Sequence, residues 1–95
     1  MPKYKVSSNA KEDIRRIYVY SLAEFGEEKA DIYFFGLYDT FDEIAINPYL
    51  YQSIDEIRPG YRRCSYNTDS IYYRINSSII EIMAVLGSQE VGGWL

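Results

Sequence analysis

The chain changes its hydrophobic period once, near Pro48, and that change restricts its fold more than any other feature. Ala10, Ile14, Ile17, Tyr18, Ser21 and Phe25 recur at steps of three and four, which traces one face of a helix. Ala30, Tyr33, Phe34, Leu37, Phe41, Ile44 and Ala45 repeat the pattern, predicting a second helix over 27–47 that Pro48 stops. Gly26 ends the first helix. With so short a linker the two helices must fold back as an antiparallel hairpin with joined apolar faces. From Tyr61 onward the runs YRRCSY, SIYYRI and IIEIMAVL are short and rich in β-branched and aromatic residues, as strands are. Asn67-Thr68-Asp69 and Asn76-Ser77-Ser78 separate them; both are turn-forming and short enough for hairpins.

A short strand is expected at 4–6, followed by capping residues Ser7, Ser8 and Asn9, with Glu12 at capping-box spacing from Asn9. Glu12, Arg15, Arg16 and Glu24 fall on the solvent side of the first helix. The fold class is therefore α+β: an N-terminal strand, an antiparallel helical hairpin, and a three-stranded antiparallel meander completing one sheet. Residues 1–86 are expected as one domain, since 95 residues with 47% hydrophobic content build one modest core. The tail 87–95 reads GSQEVGGWL, and its order depends on whether Trp94 and Leu95 dock. There is no internal repeat and no low-complexity linker.

A formal net charge of −4 argues against a general nucleic-acid binder, which normally shows a basic excess. No direct nucleic-acid binding is expected. Cys64 is the single cysteine, so no disulfide, zinc-thiolate cluster or CxxC redox site can form within the chain. MPKYKVSSNAKED lacks the apolar core of a signal peptide, and no run approaches the roughly 20 apolar residues of a membrane span. A cytoplasmic protein without membrane contact is expected. Histidine is absent, which removes the side chain best suited to proton transfer near neutrality.

Positive charge in the second half is carried by arginine alone, within IDEIRPGYRRCSYNTDSIYYR. Arg58 brackets a Pro-Gly turn with Arg62 and Arg63, and Arg74 follows on the next run. Guanidinium favours planar, bidentate or stacked contacts. Strand alternation puts Arg62 and Arg63 on opposite faces, so only one can join Arg74. Each arginine either pairs with a carboxylate such as Asp55, Glu56 or Asp69 or offers a basic spot to an acidic partner. Eleven tyrosines are many for this length. Roughly two thirds are expected at core or boundary positions, the rest at an interface.

The carboxylate pairs Glu27-Glu28, Asp42-Glu43 and Asp55-Glu56 are sequence neighbours and do not share a helical face. Ser7, Ser8, Ser77 and Ser78 have no histidine to activate them, and neither a GxSxG elbow nor a phosphate loop is present. Cys64 sits in a strand pattern, as a small core residue does. No catalytic residue, metal ligand or cofactor site is expected.

YKVSSNAKEDIRRIYVYSLAEFG, LYDTFDEIAINP, DEIRPGYRR and IYYRI, in that order, resemble ParE toxins of the RelE/ParE superfamily over about residues 4 to 86. The resemblance implies a β-α-α-β-β-β order and a toxin of a bacterial type II toxin–antitoxin system. It further implies inhibition of DNA gyrase by protein binding and neutralisation by a ParD-like antitoxin whose C-terminal part wraps the toxin. A hairpin on a sheet offers such a partner a groove for a helix and an edge for a strand. The residues expected to meet partners are Arg58, Tyr61, Arg62, Arg63 and Arg74, with Trp94 as a tail anchor.

ParE-like chains usually carry a histidine before the FYR-like strand and an RILH-type motif near the last strand. Here those places read Asp69-Ser70 and Ala84-Val85-Leu86-Gly87. Two alternative readings follow. One is a ribosome-dependent mRNA endonuclease of RelE type, with Arg62 or Arg63 and Arg74 stabilising charge and Glu56 as base. The other is a non-toxic ParE-like binding module that keeps only the antitoxin surface.

Overall fold

A computed structural model describes residues 3–87. The order is β1 (Tyr4–Val6), α1 (Ser8–Phe25), α2 (Glu27–Ile46), β2 (Gln52–Ser53), β3 (Tyr61–Tyr66), β4 (Asp69–Asn76) and β5 (Ile79–Gly87). One sheet runs β1-β5-β4-β3-β2. It is antiparallel except for the β1–β5 pair, which is parallel. The expected α+β architecture is present, with β2 as an additional edge strand. Both of its residues are exposed, so it carries no hydrophobic pattern.

The helical hairpin covers one face of the sheet. Ala10 and Ile14 of α1 and Leu37, Phe41 and Ile44 of α2 pack on Cys64, Ile71, Tyr73, Ile80, Ile82 and Val85. These sheet residues share a face in the observed register, as in the pairs Cys64↔Ile71 and Ile71↔Val85. The expected stripes were right except at Phe25, which is 58% exposed and meets Tyr20 edge to face. Gly26 turns the chain with φ +89, a backbone value costly for any residue with a Cβ.

Helix α1 starts earlier than the Asn9/Glu12 spacing suggests. Ser7 is the N-cap, its Oγ accepting from Ala10 N–H at 3.0 Å. Glu12 takes no part in a capping box and pairs with Arg15 at 2.9 Å. The start is displaced because the same residues complete the edge of β5. Strand β1 ends at Val6↔Ile82, so on that edge the following β5 backbone groups face no strand. Ser7 N–H donates to Ile82 O at 3.0 Å. Ser7 Oγ and Asn9 Nδ2 both donate to Met83 O, at 3.2 and 3.1 Å. Val85 N–H donates to Asp13 Oδ2 at 3.0 Å. Three side chains of the α1 region thus replace a ladder, and the register shift opposite Tyr72/Tyr73 lies within the same stretch.

Both hairpin turns are two residues long, Asn67-Thr68 and Ser77-Ser78. Asn67 and Ser77 have φ of 52 and 58. Asparagine tolerates this left-handed conformation, whereas serine does so less readily. Ser77→Gly is expected to raise stability by roughly 0.5–1 kcal/mol, read as a higher urea midpoint. An unchanged or lower midpoint would contradict the strain assigned to Ser77.

Candidate functional site

Several large apolar side chains on the two helices face solvent. Val19, Tyr20, Leu22 and Phe25 on α1 and Ile32 and Phe35 on α2 are all exposed, although monomeric proteins rarely gather apolar side chains in one region of the surface. Between the helices and the β3–β4 turn an open cleft of about 930 Å³ is lined by Ile17, Tyr20, Phe25, Ile32 and Tyr33. Arg16 and Lys29 add positive charge to it, and Asp69 a carboxylate. The cleft is apolar with a few polar groups, as ligand and peptide grooves are.

Its floor is built by tyrosine hydroxyls. Tyr66 Oη donates to Tyr33 O at 2.7 Å, and Tyr33 Oη donates to Asp69 Oδ2 at 2.5 Å. The two rings meet edge to face at 4.9 Å. Gly36, one turn along α2, leaves the space that the Tyr66 hydroxyl occupies; a Cβ there would collide with it. A glycine inside a helix costs roughly 1 kcal/mol relative to alanine, and at this position it makes room for that contact. Sequence reasoning passed over Gly36, and the signal that could have found it was a lone glycine inside a strong helical period.

Burial, followed by the hydrogen bond to Asp69, raises the Tyr33 hydroxyl above its ordinary pKa of 10.0. Burial also raises Tyr73, whose hydroxyl donates to Pro48 O at 2.5 Å. A phenol with a raised native pKa contributes stability that is complete below the unfolded value near 10. That contribution is lost as pH climbs past 10 toward the raised native values. Urea midpoints measured from about pH 9 to pH 11 should therefore fall, and fall less steeply in Tyr73→Phe. Parallel profiles for the two proteins would contradict this.

The register settles how the arginine set is divided. Tyr61↔Arg74 and Arg63↔Tyr72 are paired across β3 and β4, so Tyr61, Arg63 and Arg74 occupy the outer face, away from the helices. Arg58 stacks on the Tyr61 ring at 4.7 Å and joins them. Arg62 does not. It lies on the helix side, donating to Tyr51 O at 2.7 Å with its guanidinium 5.0 Å from the Tyr49 ring. Arg63 Nε donates to Ser70 Oγ at 2.9 Å.

Arg74 pairs with a carboxylate that the sequence reading did not name: Glu81, at 2.5 Å. The bond to Arg74 holds the Glu81 carboxyl below its ordinary range. Asp55 instead accepts from Gly60 N–H at 2.7 Å and Asp69 from Tyr33. Burial pushes the Cys64 thiol up, as expected for a core residue. Trp94 lies outside the described residues.

Comparison with known proteins adds to this geometry. The family described as "ParE toxin of type II toxin-antitoxin system, parDE" matches residues 4–92. The chain belongs to the ParE toxin family. It is 36% identical over 86 residues to Toxin ParE1 of Caulobacter vibrioides, covering 90% of this chain and 88% of that one. Toxin ParE1 of Mycobacterium tuberculosis is 31% identical over 85 residues, covering 88% and 87%. A solved structure described as a chromosomal ParDE TA system from P. aeruginosa superposes with a TM-score of 0.80. That match has 19% identity and covers 92% and 96% of the two chains, so it speaks for the fold. Among the described residues of this ParE-family chain no helix is long and apolar enough to cross a membrane.

Proposed function

We propose that this chain is the toxin of a ParDE-type module, that it arrests growth by binding DNA gyrase rather than by chemistry of its own, and that a ParD-like antitoxin neutralises it. The observation that carries the antitoxin half is the cleft between the helices and the β3–β4 turn. Tyr20, Phe25 and Ile32 are 60%, 58% and 66% exposed, which suits a surface that a partner covers. An amphipathic helix with one apolar face fits such a groove, and acidic residues beside that face would meet Arg16 and Lys29.

The non-enzymatic half is supported by the direction in which titrating groups move. Tyr33, Tyr73 and Cys64 shift upward and Glu81 downward, all away from the neutral range that general acid–base catalysis needs. Arg63 and Arg74 already bond Ser70 and Glu81. On this reading Arg58, Arg63 and Arg74, with Tyr61 beneath Arg58, form the outer-face surface for the target, and Arg62 belongs to the scaffold. The cytoplasm, where gyrase is found, is the compartment in which it acts.

Induction of the chain alone in a bacterial culture tests the proposal. Growth arrest relieved by co-expressing the antitoxin is expected. Antitoxin binding without arrest would mean a non-toxic binding module, and arrest with cut ribosome-bound message would mean an endonuclease.

A further inference from the structure

At the turn end of the β3–β4 hairpin the outer face of the sheet holds a polar pocket of about 350 Å³. The pairs Arg63↔Tyr72 and Ser65↔Ser70 set four side chains in a square on the face opposite Cys64 and Ile71, which pack toward the helices. Thr68, in the turn, closes one end. Asp69 lines the pocket as well, with its Oδ2 engaged by the Tyr33 hydroxyl.

Arg63 is half-buried and makes no ion pair among the described residues, whereas Arg15, Arg16 and Arg74 each meet a carboxylate. Its Nε donates to Ser70 Oγ at 2.9 Å. Ser70 is 7% exposed, and a polar side chain buried so deeply is explained by the group it holds. That bond fixes the guanidinium and leaves its terminal nitrogens as donors. A guanidinium positioned in this way loses less side-chain freedom on binding than one moving in water. Ser65 and Thr68, both exposed, place hydroxyls at the rim of the same pocket. Several donors around one positive charge suit an oxyanion. A nucleic acid would bring a line of phosphates and need a row of cations to follow it. Here Arg74 is already bound to Glu81, Asp69 lines the pocket, and the net charge of −4 repels a polyanion. A single carboxylate needs one positive group.

The geometry points to the Arg63 pocket as the seat of one aspartate or glutamate side chain from a protein partner, with Ser70 as the residue that positions the guanidinium. This deepens the reading of the outer face as the target surface and rests on that reading for the identity of the partner. Arg63 is then the anchor of that surface, and Arg74, tied to Glu81, is its neighbour.

The Arg63 Nε–H gives its own signal in proton–nitrogen spectra of the labelled full-length chain, so the pocket can be titrated with sodium acetate at constant ionic strength. The Arg63 signal and the Ser65 and Thr68 amides are expected to follow one saturable curve, half-complete at about 10–50 mM, the affinity of one or two charge-assisted hydrogen bonds. Arg63→Gln should abolish saturation of the two amides. Ser70→Ala, which keeps the charge but releases the guanidinium, should weaken binding several-fold. Shifts that rise linearly and equally at Arg63 and Arg74, or equal affinity in Ser70→Ala, would overturn the proposal. So would an oligothymidylate that saturates the same signals at lower concentration than acetate, by assigning the pocket to nucleic acid. None of these readings involves gyrase, so failure here leaves the growth and supercoiling tests of the proposed function standing.

Discussion

Asp13→Ala is expected to lower the unfolding free energy by about 2–4 kcal/mol, through the loss of a charge-assisted bond and the stranding of a buried N–H. Asp13 is only 8% exposed although it sits on a helix that otherwise presents charges to water. One carboxylate oxygen accepts from Val85 N–H at 3.0 Å and the other faces Arg16 Nη2 at 3.4 Å. Val85 lies in β5 where β1 has already ended, so no backbone group replaces the missing acceptor. At roughly 4–8 °C per kcal/mol for a domain of this size, the melting temperature should fall by about 10–30 °C. Asp13→Asn keeps an acceptor oxygen and should lose less. A midpoint for Asp13→Ala within about 0.5 kcal/mol of the parent would show that the junction of α1 with β5 does not depend on this side chain.

Tyr20→Ala combined with Phe25→Ala should weaken antitoxin binding by about 100-fold or more, if each ring contributes the roughly 2 kcal/mol of an interface hot spot. Both rings are mostly exposed and meet edge to face, with centroids 6.5 Å apart. Removing them leaves the core beneath α1 and α2 intact, so stability should change by only about 0.5 kcal/mol. Arg62→Ala is the matched control. Its guanidinium is engaged by Tyr51 and Tyr49, and the substitution should leave antitoxin affinity unchanged. Equal affinities for the parent and the double variant, measured by isothermal calorimetry, would remove the cleft from the interface.

The helical hairpin was legible because its two stripes are long and strongly periodic and a single glycine lies between them. The meander was legible for a related reason: Asn67-Thr68 and Ser77-Ser78 interrupt runs of β-branched and aromatic residues. Strand β2 was hidden because two exposed polar residues, Gln52 and Ser53, cannot show a period. The parallel pairing of β1 with β5 was hidden because it joins residues more than seventy positions apart with no local signal. Asp13 reads as one more surface charge among Glu12, Arg15 and Arg16, and only the end of β1 makes it a structural acceptor.

Half of the candidate site was legible too. Alternation showed that Arg62 and Arg63 must part, but the register alone assigns Arg63 to the side of Arg74. Glu81 was missed as the partner of Arg74 because it faces it across β4 and β5, away from the carboxylates close in sequence. The cleft left one readable trace: Tyr20 and Ile32 are large apolar residues that fall off both buried stripes. Apolar side chains off the core face of a helix point to something that covers them.

The most direct test of the central claim is DNA supercoiling by gyrase in the presence of the purified chain, with and without its antitoxin. The account predicts inhibition in proportion to added protein, relieved when the antitoxin is present in equimolar amount. Full supercoiling at a large molar excess of correctly folded protein would contradict it.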